Sequence, residues 1–306
     1  MKLLTVSANP HVRDNSSTAS IMLDVIIALA PALVVSVVLF GFRALMVEAV
    51  CVSAAVLAEY FWELAMKKPI TIGDLSAVVT GLLLAFCLPP SLPLWMGALG
   101  SVAAIIVVKQ LFGGIGCNFA NPAATGRIIL FLCFSKEMAD FTYDGVTSAT
   151  PLAVLDQGGS LELVDLLFGR HGGCIGEVCA LALLIGGAYL LARRVISWHI
   201  PAAYLGTVAV LSLLAGQDPL EQLLTGGLLL GAIFMATDYA TSPMTGLGKV
   251  IYGVIIGLIT VAIRLWGNYP EGVSFAILLG NLLTPQIDRL TRHRPLGVAK
   301  KGGAKA

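Results

Sequence analysis

NPAATGRIILFLCFS, residues 121–135, is the stretch on which the threading of this chain turns. Its apolar run is short and follows Pro, Gly and Arg, so it reads either as a membrane crossing or as a re-entrant segment. The remainder is plainer. The 306 residues are 57% hydrophobic and 12% charged, with a mean hydropathy of +0.89, far from the roughly 25% charged residues of a soluble domain. Nine more apolar segments lie at about 21–40, 44–64, 75–89, 92–109, 173–192, 197–215, 220–236, 249–266 and 271–288. Several approach the roughly 20 residues that cross a bilayer.

The positions of Lys and Arg arbitrate, because they concentrate on the cytoplasmic side. If 121–135 crosses and the N-terminus is cytoplasmic, only Arg43, Lys136, Arg170 and Arg264 of the 19 Lys and Arg fall outside. If it does not cross, Arg193, Arg194, Lys249 and the basic C-terminal tail all move outside. The expected fold is therefore an all-α polytopic membrane protein of about ten transmembrane helices, with both termini cytoplasmic. The long polar connection divides it into an N-terminal half (1–135), an outer-face loop (136–172) and a C-terminal half (173–306). Five spans is an odd number, so the two halves are expected to be inverted relative to each other, as in many transporter folds.

Several functions are disfavoured by what the sequence lacks. A net charge of +1 and the absence of a basic patch interleaved with aromatics argue against nucleic acid. Cys51, Cys87, Cys117, Cys133, Cys174 and Cys179 form no CxxC and read as buried, inert thiols. His11, His171, His199 and His293 sit at segment edges without ligand spacing, so no metal site is expected. The polar first twenty residues, followed by an apolar run too long for a signal-peptide core, do not read as a cleavable leader.

Charged residues within spans are functional candidates by default. Glu48, Glu59 and Glu63 in span two lie within about 60° of one another at 100° per residue, and Asp24 sits near the inner end of span one. One reading is an ion path through Asp24, Glu59 and Glu63. The other is structural, with Glu63 paired to Lys67 one turn on and Glu48 near Arg43 at the outer interface; the structural outcome is expected. Two further stretches, FGGIGCNFANPAATGR (112–127) and ATDYATSPMTG (236–246), are either tight cytoplasmic turns or irregular backbone lining a cavity. In the second case Asn118, Asn121, Arg127 and Asp238 are candidates to bind a ligand there.

The outer loop carries DGVTSATPLAVLDQGG, residues 144–159. Asp144-Gly145 supplies a turn, and Pro151 holds Thr150 out of helical geometry. An exposed hydroxyl on an extended segment follows, or simply a Ser/Thr-rich loop with a helix cap.

DGVTSAT resembles the flavinylation motif to which a flavin transferase attaches FMN, and Ser148 stands where that pattern usually has Gly. SANPHVR (7–13), SIMLDVIIALAP (20–31), VVTGLLLAFCLPPSLP (78–93), KQLFGGIGCNFANPAATGR (109–127), FMATDYATSPMTGLGKVIYG (234–253) and IRLWGNYPEGVSFAILLGNLLTPQIDR (263–289) resemble one family. It comprises the D subunits of the Rnf complex, an ion-translocating ferredoxin:NAD oxidoreductase, and the related B subunit of the sodium-translocating NADH:quinone reductase. The resemblance implies FMN joined through its phosphate to Thr150, with Thr147 and Ser148 alongside, and a second, noncovalent riboflavin. It also implies a place in the bacterial inner membrane as one subunit of a cation-pumping translocase. The implied partners are an outer-face flavoprotein subunit, membrane Fe–S subunits, cytoplasmic ferredoxin- and NADH-handling subunits, and the flavin transferase. The chain itself lacks a Rossmann fingerprint and Fe–S cysteine motifs, so it is not a complete enzyme alone. A secondary transporter or channel without a redox cofactor is the competing class.

The threading is directly testable. A reporter active only outside the cytoplasm is expected to be on when fused near Gly158 and off when fused after Lys305. The reverse pattern would mean a re-entrant 121–135 or a flipped chain.

Overall fold

The computed structural model describes residues 17–143, 146–147, 152, 163–169, 171–267 and 272–292. The described chain is helical apart from one two-residue ladder. Helix α1 (Thr18–Phe40) starts at a capping box in which Ser17 and Ser20 each accept the other's backbone N–H. A single residue, Gly41 at φ +68°, turns it into α2 (Phe42–Ala65). There follow a 3₁₀ turn (Ile72–Asp74), α3 (Ser76–Phe86), α4 (Leu94–Ala103) running on as a π-helical stretch (Ala104–Gln110), and α5 (Pro122–Cys133). In the connecting region lie the short α6 (Ser135–Met138), the ladder of Thr142–Tyr143 with Val146–Thr147, and α7 (Leu163–Phe168). The C-terminal part holds α8 (Ala180–Ala192), α9 (His199–Leu214), α10 (Pro219–Leu224), α11 (Leu228–Leu230) with a second π-helical stretch (Gly231–Met235), α12 (Gly246–Trp266) and α13 (Val273–Thr291).

Three of these helices, α1, α2 and α12, are long and apolar enough to cross a membrane by length and composition. The segments expected at 75–89, 173–192 and 220–236 are interrupted. The first yields a helix only over Ser76–Phe86, the second only over Ala180–Ala192, and the third breaks at Thr225 to Gly227. Helix α4, by contrast, continues through its π-helical stretch to Gln110.

The distribution of side chains is inside-out relative to a water-soluble protein. Val34, Val38, Phe61, Leu213, Leu214 and Leu258 face outward, while Glu48, Glu59, Glu63, Lys109, Arg127, Glu177 and Arg264 are buried. In water such an apolar exterior would aggregate; in lipid it is the favourable arrangement. Two of the six thiols depart from expectation, since Cys117 and Cys133 are exposed.

The broken segments meet inside the bundle. Helix α3 ends at Phe86, and the following LPP cannot continue it because Pro lacks an N–H. The carbonyls left over are taken up by the other half of the chain: Gly176 N donates to Phe86 O (2.9 Å) and Ile175 N to Leu88 O (3.0 Å). Leu84, Phe86 and Leu88 at this junction are fully buried. A Cβ added at Gly176 would overlap the Phe86 side chain, so the crossing needs glycine there. Gly206 on α9, in contrast, faces open space. Gly176→Ala is therefore expected to lower stability by about 1–3 kcal/mol through overpacking, whereas Gly206→Ala is expected to be neutral or stabilising by up to about 1 kcal/mol. Thermal melts of the detergent-solubilised protein check both; equal melting temperatures for the two variants would contradict the crossing.

Candidate functional site

One end of the bundle opens into a cavity of about 400 Å³. The start of α1, the loop before α5 and the chain between α11 and α12 frame it, with Met22, Val79, Leu83 and Phe234 among its apolar walls. Both π-helical stretches end at this cavity. Their wider i→i+5 closure is seen in Leu111 N to Ile106 O (3.0 Å) and Ala236 N to Gly231 O (2.7 Å). Such turns recur at functional sites because they re-aim side chains that a regular helix would point elsewhere.

Three of the four polar candidates from the two Gly- and Thr-rich stretches come together here. Asn118, Asn121 and Asp238 all line the cavity. Asn118 Nδ2 donates to Ala120 O (3.1 Å) and reaches Asp238 Oδ2 at 3.4 Å. Thr241 Oγ1 also donates to Asp238 (3.1 Å), and the loss of solvent around this half-buried carboxyl pushes it above the usual carboxylate range. Asn121 is engaged at both ends: its Oδ1 caps α5 by accepting from Ala124 N (3.1 Å), and its Nδ2 donates to Met235 O (3.1 Å). Thr245 caps α12 by accepting from Gly248 N (3.0 Å). The cavity thus combines apolar walls with a few convergent amide and carboxylate groups, the usual make-up of a small-molecule site.

Arg127 is not part of this lining. It points into the bundle, 7% exposed, where its guanidinium donates to Ser274 Oγ (3.3 Å) and Cys174 Sγ (3.4 Å). There it shares a buried polar centre with Glu177, on which Arg127 and Arg264 both act electrostatically. Arg264 is held by the carbonyls of Gln222 (2.7 Å) and Thr225 (2.9 Å) and by Gln222 Oε1 (3.0 Å). Glu177 is the lone acid of the expected span 173–192, and the membrane-depth rule that singles out the span-two stripe applies to it equally.

The acidic stripe has different partners from those expected. Glu63 does not pair with Lys67; it accepts from the backbone N of Thr71 (3.0 Å) and from the Thr71 hydroxyl. Lys67, at φ +53°, lies in the turn after α2 and is exposed. Glu48 accepts from Ser36 Oγ (2.7 Å) rather than meeting Arg43, whose guanidinium donates to the carbonyls of Pro90 (3.4 Å) and Leu92 (2.9 Å). Asp24 does not join the stripe, because it faces α8, bonding Tyr189 (2.9 Å) and Arg193 (3.3 Å). Glu59 alone of these acids has a buried cationic partner among the described residues, Lys109 at 2.7 Å. Lys109 is invisible to pattern reading as a partner, since it looks like an ordinary basic residue at a span end; the π-helical stretch turns it inward.

In the polar connection between the halves, Thr147 lies in the ladder opposite Thr142, and Tyr143 pairs with Val146; the Asp144-Gly145 turn expected from the sequence lies outside the described residues. Ser148 and Thr150 lie outside the described residues. Leu152, two residues beyond Thr150, is buried.

An inside-out helical bundle with interrupted helices and a ligand-sized cavity at one end is the architecture of a polytopic membrane protein. The chain belongs to the family described as NQR2, RnfD, RnfE, which matches residues 5–297. It is 53% identical, over 99% of this chain and 98% of the relative, to the D subunit of the Na(+)-translocating ferredoxin:NAD(+) oxidoreductase complex of Acetobacterium woodii. It is 41% identical, over 97% of both chains, to the D subunit of the proton-translocating ferredoxin:NAD(+) oxidoreductase complex of Clostridium ljungdahlii. It is 36% identical, again over 97% of both, to the D subunit of the ion-translocating oxidoreductase complex of Alcanivorax borkumensis.

The buried centre generates a stability prediction. Arg127→Met is expected to cost about 3–5 kcal/mol by stranding a buried charge, read as reduced abundance and melting temperature. Adding Glu177→Gln should recover a substantial part of that loss. Strict additivity of the two changes would mean that the groups do not share one electrostatic site.

Proposed function

We propose that this chain is the membrane-embedded, flavin-carrying D subunit of a redox-driven ferredoxin:NAD oxidoreductase that translocates Na⁺ or H⁺. The full-length relationship to proteins bearing that name is the observation that carries this reading. Within the complex, DGVTSAT would hold FMN on the outer face through a phosphoester on the Thr150 hydroxyl. The cavity beside Asn118 and Asp238 would hold a second, noncovalent flavin at the cytoplasmic end. A flavin supplies one- and two-electron redox chemistry, and the protein's contribution is to bind, orient and shield it.

The chain's residues suit those tasks. At Thr150 the link runs through the phosphate, which keeps the ring free to face a partner, and covalent attachment solves retention outside the cytoplasm. In the cavity, the Asn118 amide and the Asp238 carboxyl offer acceptor oxygens at the rim while Val79, Leu83 and Phe234 exclude water. Electrons from an outer-face flavoprotein partner would enter at the Thr150 side and continue to the other membrane subunits, with ferredoxin and NADH handled by cytoplasmic partners. We place the chain in the bacterial inner membrane with ten crossings in two inverted halves and both termini inside. The apolar exterior and the interrupted helices support this.

Thr150→Ala is expected to abolish ultraviolet fluorescence of the denatured gel band while the protein still inserts, because only a covalent flavin survives denaturation. Thr147→Ala should keep the signal. Undiminished fluorescence in Thr150→Ala would remove the attachment site, and a dark wild-type band would favour a transporter without a redox cofactor.

A further inference from the structure

Helices α2 and α4 do not close on each other along their whole length. In the first half of α2, Val47 and Cys51 are buried, and a Cβ added at Gly97 of α4 would lie 3.0 Å from Cys51 Sγ. In the second half a groove of about 490 Å³ opens, running from Ala54 to Ala65 on α2 and bounded by Val102 and Ile106 of α4. Those two residues straddle Ala104, where the π-helical winding begins. The walls are entirely aliphatic and aromatic, and Leu57 and Phe61 among them are more than half exposed. Trp62, in the same wall and near the end of α2, has no acceptor for its indole N–H among the described residues.

The depth of the groove points to its occupant. Ala54 to Ala65 covers about 16 Å of helix at 1.5 Å per residue. That is one leaflet, half of the roughly 30 Å hydrocarbon core. A helix of another subunit crosses both leaflets, whereas an acyl chain ends near the midplane, as this groove does.

The mouth of the groove is cationic. Lys67 and Lys68 follow within three residues of Ala65, both are exposed, and neither has an acidic partner among the described residues. Glu63, the nearest acid in sequence, is already engaged by the backbone N and the hydroxyl of Thr71. Lys67 stands at φ +53°, where a helix end usually carries glycine, and Lys68 N closes the turn onto Glu63 O (2.9 Å). Two unpaired lysines beside an apolar slot one leaflet deep are complementary to a phosphate head group joined to an acyl chain.

We propose that the groove between α2 and α4 binds one acyl chain of an anionic phospholipid, whose phosphate is held by Lys67 and Lys68. In the orientation proposed above, the lipid belongs to the cytoplasmic leaflet. Its ester carbonyls come to the depth of Trp62, and a turn of the indole presents the N–H to them.

Photo-cross-linking of the purified complex in nanodiscs tests the site. The probe is phosphatidylglycerol with a diazirine on one acyl chain, compared with phosphatidylcholine carrying the same chain, and the label is mapped by peptide mass spectrometry. Phosphatidylglycerol is expected to label 54–65 and 102–106 several-fold more than the outward-facing Val34 and Val38 of α1. Lys67→Gln and Lys68→Gln should each lower that labelling about fivefold, as the loss of one cation near an anionic head group implies, and should leave phosphatidylcholine labelling unchanged. Ala54→Phe, which fills the deep end of the groove, should lower labelling by both lipids. Labelling of the groove no stronger than of Val34 and Val38, or a preference for phosphatidylglycerol that survives both lysine changes, overturns the site. So does a benzoylphenylalanine introduced at Leu57 that cross-links to another subunit instead of to lipid, since the groove would then hold a partner helix.

Discussion

Backbone polar groups that leave a helix inside a lipid-facing bundle must find partners within the protein, because hydrocarbon offers none. In this chain the constraint falls hardest at the end of α3, where LPP stops the helix at buried Phe86. The amides of Ile175 and Gly176, from the other half of the sequence, meet the carbonyls of Leu88 and Phe86. That junction ties together two distant parts of the chain, and it accounts for the shortness of both α3 and α8. Each gives up part of a span so that irregular backbone can be satisfied by its counterpart. The buried centre of Arg127, Cys174 and Glu177 sits beside the same crossing, where the chain has room for polar side chains because no continuous helix fills it.

The same logic shapes the cavity. Irregular backbone is tolerated at depth where it lines an internal space, and both π-helical stretches end at one. Asn121 shows how closely structure and site are joined: its side chain caps α5 and bonds the carbonyl of Met235 at the end of the second π-helical stretch. Asn118 and Asp238 then face each other from the two loops. The cavity exists because two separate helix ends are fastened to each other, and its polar rim is made from the fastening residues.

Much of this was legible in the chain. The apolar runs marked the helices, the balance of Lys and Arg favoured an even number of crossings, and Gly, Asn and Pro marked the loops around the cavity. The motifs spread along the chain carry its family membership. The acidic stripe was visible too, but its partners were not. Glu63 turned to Thr71, Glu48 to Ser36, and Asp24 to α8, because each took the nearest donor in space rather than the nearest basic residue in sequence.

The sequence by itself determined the solvent of this protein, its all-helical class and its family, since these follow from composition and local pattern. Only the tertiary structure decided which charges meet. Lys109 reaches Glu59 because a π-helical stretch redirects one turn of α4, and Arg127 leaves the cavity for the core because α5 presents it to Ser274 and Cys174. A hydrophobic pattern records which face of a helix avoids water, and in lipid that face is the outside. The buried polar residues are the minority on each helix, and their pairing depends on helix rotation and on breaks that no periodicity encodes.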